Sequence, residues 1–97
     1  METPADAIEI TRNGAASRFE IRLDGELVGI AEHFDDGEFR AFVHTEVDPS
    51  HTGKGLAGKL IGHALRETRA DGLKVDPVCP YVAAFIRRHP QYRDLLA

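Results

Sequence analysis

The spacing of apolar residues changes once along this chain, and that change limits the folds the chain can adopt. Over residues 7–47 apolar and polar residues mostly alternate, most clearly at 19–23, which is the period of half-buried strands. Over residues 53–71 the apolar residues recur at the three- and four-residue intervals of a helix face. The helical stripe comprises Leu56, Ala57, Leu60, Ile61, Ala64 and Leu65.

Short turns are predicted to join the strands of the first half. Asp24-Gly25 lies between two apolar runs, and this pair favours the positive φ that both central residues of a tight hairpin need. Asn13-Gly14 and Asp35-Asp36-Gly37 are predicted as two further turns. Strands joined in this way must be antiparallel neighbours. Four are expected, around residues 8–10, 19–23, 27–31 and 38–47.

The middle of the chain predicts a β-α-β unit. Thr52 is a suitable N-cap for the first helix and Gly72 a suitable stop. Leu73-Lys74-Val75 follows as a short strand. Because such crossovers are right-handed, this strand should run parallel to the one at 38–47.

A second helix is predicted to begin at Pro80 and to end at His89-Pro90. The 97 residues of the chain are enough for one compact core but not for two. The expected architecture is therefore a single α+β domain over residues 1–97. It has a mixed, mostly antiparallel sheet with a β-α-β crossover and a C-terminal helix.

Composition narrows the possible partners. The net charge of −4 leaves no surplus of Lys and Arg with which to neutralise the phosphates of a nucleic acid. The N-terminus lacks the basic flank and apolar stretch of a signal peptide, and no apolar run is long enough to span a membrane. The lone Cys79 cannot form an intrachain disulfide. We expect a cytoplasmic monomer or small homo-oligomer that binds neither nucleic acid nor membrane.

Residues 50–58 carry the densest functional signal, because three glycines and Lys54 lie between a predicted strand and a predicted helix. The first N–H groups of a helix have no partner within it, and the helix dipole is positive there. Glycines remove the Cβ atoms that would keep a ligand away. The segment therefore predicts a phosphate or pyrophosphate site. The structural alternative is that the glycines only permit a turn and close packing, since Gly55, Gly58 and Gly62 share one flank of the helix.

Two other phosphate motifs fit less well. Gly53, Gly55 and Gly58 spell G-x-G-x-x-G, with Asp76 near the expected acidic position of a dinucleotide-binding fold. That fold needs alternating strands and helices, whereas the strands here are hairpins. A P-loop is excluded, because its motif ends in Gly-Lys followed by Ser or Thr, whereas Leu56 follows Gly55 here.

Residues 50–55 resemble the acyl-coenzyme A loop of GNAT-type N-acetyltransferases, whose pattern is Q/R-x-x-G-x-G/A. Gly53 and Gly55 match this pattern, while Ser50 occupies the Q/R position. The family's order of strands, loop, helix, parallel strand and helix matches residues 19–89. The chain is most similar to the small single-domain GNAT-like group. The supporting segments are His44-Thr45-Glu46-Val47, Lys74-Val75, Pro77-x-Cys79-Pro80-Tyr81 and His89-Pro90 with Tyr92.

The resemblance implies acetyl-coenzyme A (acetyl-CoA) as cofactor and a primary amine, on a small molecule or a protein, as acceptor. In that family the sheet opens between the strand before the loop and the next parallel strand, and pantetheine lies in the opening. Pantetheine should then pair with the backbone around residues 45–47, and the pyrophosphate with N–H groups of residues 53–57. The residues expected to bind the cofactor are Thr45, Val47, His51, Thr52, Gly53, Lys54, Gly55, Leu56, Ala57 and Tyr81.

Three side chains are candidates for the chemistry. Cys79 precedes Pro80 and could cap a helix N-terminus, which lowers the pKa of a thiol and makes it nucleophilic. It would then relay the acetyl group or line the pantetheine slot, and the plain alternative is a small buried hydrophobe. His44 or Glu46 could deprotonate the incoming ammonium. If Phe42, His44 and Glu46 share a face, only one of them need point at the acceptor.

Several alternatives stay open. Tyr81 or Tyr92 could protonate the leaving thiolate, and Arg87-Arg88 could meet a coenzyme phosphate. The two helices that cover the acceptor in larger family members have no counterpart here, so an open acceptor side is expected. Five histidines without the spacing of zinc ligands predict no metal site. Direct transfer and a Cys79 relay are both possible, and a non-enzymatic acyl-CoA-binding module is the rival from another class.

Overall fold

The structure, a computed structural model, describes residues 7–51 and 53–96. In chain order the elements are β1 (Ile8–Asn13), β2 (Arg18–Leu23), β3 (Glu26–Asp36), β4 (Phe39–Val47), a 3-10 turn (Pro49–His51), α1 (Leu56–Ala70), β5 (Lys74–Pro77), α2 (Pro80–Arg88) and a 3-10 segment (Pro90–Leu95).

The five strands form one sheet in the order β1-β2-β3-β4-β5. The first four pair antiparallel, whereas β4 and β5 are parallel and are connected through α1. This confirms the predicted α+β fold with its mixed, mostly antiparallel sheet. At the predicted hairpin, Asp24 and Gly25 both have positive φ, 51° and 85°.

Two predicted turns are displaced along the chain. β1 continues through Asn13, so the turn covers residues 14–17, and the Oδ1 of Asn13 accepts a hydrogen bond from the N–H of Ala16 (3.1 Å). β3 continues through Asp36, which pairs with Phe39 across a two-residue turn. Strand pairing therefore extends further than the turn-forming residues alone suggested.

The ends of the helices also differ from the predictions. α1 begins at Leu56 because Gly55, with φ 71°, is its N-cap. The predicted N-cap, Thr52, lies outside the described residues. Gly72 follows the end of α1 with φ 74°, as a stop should. After α2, residues 90–95 form a 3-10 segment that was not predicted.

Both helices pack against one face of the sheet and enclose the core with it. α1 contributes Leu60, Ile61 and Leu65, and α2 contributes Val82 and Ile86, all almost completely buried. Burying side chains of this size stabilises a fold by about 1.5–3 kcal/mol each. The strands contribute Phe19, Ile21, Leu23, Val28, Ala31, Phe42 and Val75.

A β-bulge in β4 decides which of its side chains face the helices. His33 of β3 pairs with Phe42, and the preceding Glu32 pairs with His44. Val43 is therefore an extra residue without a partner of its own. Such a bulge reverses the alternation of side chains in the part of the strand that follows it.

Beyond the bulge, Thr45 and Val47 lie on the helix face, where Val47 packs against the core. His44 and Glu46 point to the opposite face and are exposed. The possibility that Phe42 shares a face with His44 and Glu46 is therefore wrong, because simple alternation does not hold across the bulge.

A buried charged network joins β4 to the C-terminal end of α1. The guanidinium of Arg40 contacts the carboxylate of Asp35 at 2.8 and 3.0 Å, that of Asp71 at 3.1 Å, and the hydroxyl of Thr68 at 3.3 Å. The Nδ1 of His33 lies 3.0 Å from the same Asp35 carboxylate. A buried charge left without such partners would cost several kcal/mol. The network thus fixes one end of α1 over the sheet.

Candidate active site

The loop between β4 and α1 ends in a bare segment, residues 53–57, here called the cradle. Gly53 and Gly55 have φ of 87° and 71°, in the left-handed region that residues with side chains rarely adopt. A Cβ built at either position would meet no atom within 4 Å. Close packing therefore does not account for these two glycines, and the cradle surface is open.

The cradle leads into the first amides of α1. The first backbone bond of the helix runs from the N–H of Lys59 to the carbonyl of Gly55 (3.2 Å). The N–H groups of Leu56, Ala57 and Gly58 therefore have no acceptor within the helix. No acidic side chain lies in this first turn, and the helix dipole adds partial positive charge. The arrangement suits an anion such as a pyrophosphate.

A depression of about 360 Å³ lies beside the cradle. The Nζ of Lys54, an exposed cation, is 3.4 Å from the Nδ1 of His51 at its edge. Of the predicted cofactor-binding residues, Thr52 lies outside the described part of the chain. The depression brings together Val47, His51, Gly53, Gly55, Leu56, Ala57 and Tyr81.

The strands β4 and β5 separate next to this depression. Their pairing ends where Phe42 meets Pro77, and a last hydrogen bond runs from the N–H of Cys79 to the carbonyl of Phe42 (2.7 Å). Beyond that point, within the described residues, positions 44–47 pair only with β3. The sheet thus opens along the part of β4 that the resemblance assigns to pantetheine.

Cys79 lies at the inner end of this opening as the N-cap of α2, the position predicted for it. It is 5% exposed, and its Sγ is 3.5 Å from the Oγ1 of Thr45. Burial raises the pKa of the thiol, but the hydroxyl of Thr45 and the N–H groups of Val82, Tyr81 and Thr45 outweigh it, so the pKa lies below its usual value. The N–H groups of Tyr81 and Val82 belong to the first turn of α2, whereas that of Thr45 belongs to β4.

The two tyrosines of the predicted site are placed differently. Tyr81 is 41% exposed and borders the depression. Tyr92 is buried, its Oη accepts a hydrogen bond from Arg66 (3.0 Å), and the guanidinium of Arg69 lies over its ring at 5.5 Å. Tyr92 therefore holds the C-terminal segment against α1, and Tyr81 is the tyrosine more open to a ligand.

A larger groove of about 820 Å³ continues from the cradle between α1 and α2, and it was not predicted. Gly58 and Gly62 line it, and a Cβ at Gly62 would lie 3.2 Å from the guanidinium of Arg66, so this glycine permits close packing of the groove wall. The position of the two glycines on one flank of α1 is the only sequence signal that pointed to the groove. Of the pair Arg87-Arg88, only Arg88 lines the groove. The cations along it are Lys59, Arg66 and Arg88.

His44 and Glu46 lie across β4 from Cys79. Their cross-strand partners are Glu32 and Ile30, on the face of the sheet that bears no helix in the described residues. The three candidate catalytic residues thus lie around the same half of β4. The thiol of Cys79 is on the helix face of the sheet, and the two candidate bases are on the other face.

Neither a group of possible metal ligands nor a helix able to cross a membrane occurs within residues 7–51 and 53–96. No three His, Cys, Asp or Glu residues come together in a group that could hold a metal ion. Neither helix in that part of the chain is long and apolar enough to cross a membrane.

Comparison with known proteins identifies the family. The sequence profile described as GCN5-related N-acetyl-transferase matches residues 18–95. The chain belongs to the GCN5-related N-acetyltransferase (GNAT) family. The resemblance seen at residues 50–55 is thereby confirmed, and with it the enzyme class, N-acetyltransferase. No curated protein sequence matches the chain.

Solved structures agree with the GNAT fold. A GCN5-like protein from Staphylococcus aureus, solved by NMR, superimposes with a TM-score of 0.70 at 21% identity, over 92% of this chain and 87% of the other. The ribosomal-protein-S18-alanine N-acetyltransferase of Escherichia coli gives 0.62 at 17% identity, over 73% of this chain and 49% of its own. N-acetylglutamate synthase of Neisseria gonorrhoeae, solved with coenzyme A and N-acetyl-glutamate, gives 0.54 at 19% identity, over 70% and 18%. The last two are much longer proteins, of which this chain spans half or less.

Proposed function

We propose that the protein transfers an acetyl group from acetyl-CoA to a primary amine. The observation that carries this proposal is the position of the cradle at the mouth of the opening between β4 and β5. A pyrophosphate on the cradle would direct the attached pantetheine arm along the free edge of β4 toward Cys79. Acetyl-CoA would supply the activated thioester, and the chain would supply binding, orientation and proton transfer.

The positive groups on the face of the sheet that bears α1 and α2 support binding of the coenzyme. The N–H groups of residues 55–58 and the ammonium of Lys54 would hold the pyrophosphate. The free backbone edge of residues 45–47 would take the amides of pantetheine, as a neighbouring strand would. The groove between α1 and α2 is large enough for the nucleotide end, and its three cations suit a phosphate group.

The lowered pKa of Cys79 supports a relay through its sulfur. The thiolate would attack the acetyl carbonyl, a new S–C bond would form, and the S–C bond to the coenzyme would break. The departing coenzyme thiolate would take up a proton, for which the exposed Tyr81 is placed at the edge of the depression. The amine would then attack the acetyl-Cys79 thioester, which forms the amide and releases the Cys79 thiolate.

An amine must lose a proton before it can attack, because the ammonium form has no free electron pair. His44 and Glu46 are exposed on the face of β4 opposite the coenzyme. We place the entry of the acceptor on that face, with one of these two residues taking the proton. His44→Gln and Glu46→Gln, measured separately, would show which variant loses the acidic limb of the pH–rate profile, the limb on which a general base becomes protonated.

Rapid quench of the protein with acetyl-CoA, followed by mass spectrometry, tests the relay. Acetyl on Cys79 that forms and decays as fast as product appears would support it, with Cys79→Ala as the variant that cannot form the adduct. Product without an adduct, and full activity in Cys79→Ala, would establish direct transfer instead. Coenzyme binding without turnover of any primary amine would contradict the proposed function and favour an acyl-CoA-binding module.

A further inference from the structure

We propose that the acceptor amine is carried by a basic polypeptide segment that binds across the helix-free face of the sheet. This proposal rests on the proposed function and names its substrate class. The face is defined by the outward side chains of β2 to β5. These include Arg18, Glu20, Arg22, Ile30, Glu32, Phe34, Ala41, His44, Glu46, Lys74 and Asp76.

The first argument is position. Both helices pack on the opposite face, so no helix in the described part of the chain covers these side chains. His44 and Glu46 belong to this face and lie beside the opening between β4 and β5. An acceptor that crosses the face can therefore present an amine at the opening without meeting the coenzyme side.

The second argument is charge. The cations of the face already have partners. Arg18 and Arg22 contact the buried carboxylate of Glu20 at 2.8 and 2.9 Å, and the Nζ of Lys74 donates a hydrogen bond to the carbonyl of Asp94 at 2.7 Å. The carboxylates of Glu32, Glu46 and Asp76 form no ion pair within residues 7–51 and 53–96. These free negative charges complement a segment rich in Lys or Arg, and they would repel an acidic one.

The third argument is extent. Phe34, Ala41 and Asp76 lie side by side in one row across β3, β4 and β5, and Phe34 is 62% exposed. Glu46 lies opposite Ile30, four residues from Phe34 along β3, which corresponds to about 13 Å. A small amine bound at Glu46 would not reach this row, whereas an extended peptide of a few residues would. The exposed ring of Phe34 suits the aliphatic stem or cation of a basic side chain.

The row of Phe34 and Asp76 provides the test, since neither residue is placed in the catalytic machinery. Acetylation would be measured with a short arginine-rich peptide bearing one free amine, with the same peptide carrying glutamates, and with glycinamide as a small amine. We expect kcat/KM to be highest for the basic peptide. In the Phe34→Ser/Asp76→Asn double variant it should fall about tenfold for that peptide and stay unchanged for glycinamide.

Glu67→Gln, which removes an equally charged side chain from α1 on the other side of the sheet, is the matched control and should change neither rate. Equal use of both peptides, or an equal loss for peptide and glycinamide in the double variant, would overturn the proposal. Turnover of glycinamide without turnover of any peptide would overturn it while leaving the acetyltransferase function intact. Absence of turnover with every amine would overturn the proposed function and this inference with it.

Discussion

The Sγ of Cys79 lies 3.5 Å from the Oγ1 of Thr45 and so connects the start of α2 to β4 where the sheet opens. Thr45 reaches this position only because the bulge at Val43 turns its side chain toward the helices. The same bulge turns His44 and Glu46 away. One extra residue in β4 therefore separates a coenzyme-facing thiol from two acceptor-facing bases.

Replacing Thr45 by Val should raise the pKa of Cys79, because the hydroxyl is the strongest of the groups that lower it. Thiolate then forms at higher pH, and acetylation of Cys79 should slow several-fold at neutral pH. The ultraviolet absorbance of the thiolate as a function of pH, relative to Cys79→Ala, measures the change. Thr45→Ser retains the hydroxyl and should behave as the wild type. An unaltered titration in Thr45→Val would show that the hydroxyl does not act on the thiol.

Replacing Gly55 by Ala should weaken coenzyme binding and also destabilise the fold. The positive φ of Gly55 costs a residue with a side chain about 1–2 kcal/mol. The added methyl group would also project into the cradle, and we expect the Kd for coenzyme A to rise roughly tenfold, or about 1.4 kcal/mol.

Gly25→Ala is the matched control, because Gly25 has a similar φ of 85° in a hairpin turn outside the cradle. Denaturant unfolding should show a similar loss of stability in both variants, and calorimetry should show weaker binding in Gly55→Ala alone. Equal Kd values in the two variants would argue that the cradle does not contact the coenzyme.

Replacing Arg88 by Gln should reduce coenzyme affinity roughly fivefold, since one exposed charge contact contributes about 1 kcal/mol. Arg88 lines the groove between α1 and α2, whereas the adjacent Arg87 does not. Arg87→Gln should therefore bind coenzyme A as the wild type does. The loss should shrink for dephospho-coenzyme A if Arg88 meets the ribose phosphate. A similar loss of coenzyme affinity in both arginine variants would contradict a direct contact and would indicate only long-range electrostatic attraction of the coenzyme.

Stability should fall as pH drops below about 6.5, the ordinary pKa of histidine. Burial, followed by the charges of Arg40 and Arg12, lowers the pKa of His33 in the fold despite the nearby Asp35. As the pH falls, the unfolded chain therefore takes up a proton on His33 more readily than the folded chain does. The contribution of His33 to the free energy of unfolding is fully present above about pH 6.5 and is lost as the pH falls below it. Hydrogen bonding to Arg40 also lowers the pKa of Asp35, which extends the loss into the acidic range.

Urea unfolding at a series of pH values measures this effect. His33→Gln should be less stable at neutral pH but should lose less stability than the wild type between pH 7 and pH 5. His63→Gln, at a partly exposed position of α1, is the control and should follow the wild-type slope. A His33→Gln slope as steep as that of the wild type would assign the pH dependence to other groups.

Local sequence patterns were sufficient for most of the fold. Asp24-Gly25 determines a hairpin on its own, and the helical stripe identifies α1, because both signals act between residues close in the chain. The Arg40–Asp35–Asp71 network was not predicted, since it forms only when β4 and the end of α1 meet. The bulge at Val43 was not predicted either, because the pairing register of β4 depends on the sequence of β3 as well as on its own.

In the candidate site too, features set by local sequence were predicted and features set by contacts between distant segments were not. The cradle and the N-cap position of Cys79 follow from glycine and proline placement, which constrain the backbone locally. The contact of Cys79 with Thr45 and the groove between the helices depend on packing between distant segments. Sequence alone therefore identified the candidate residues around β4 but not the faces on which they lie.

Titration of isotope-labelled protein with acetyl-CoA, followed by amide NMR spectra, tests the central claim most directly. We expect the largest shifts at the amides of Gly53, Gly55, Leu56 and Ala57 and along residues 45–47, with little change in β2, which lines neither the depression nor the groove. Saturable binding that leaves the cradle amides unshifted, or the absence of binding, would contradict the proposal that this cradle and the adjoining edge of β4 hold the acetyl donor.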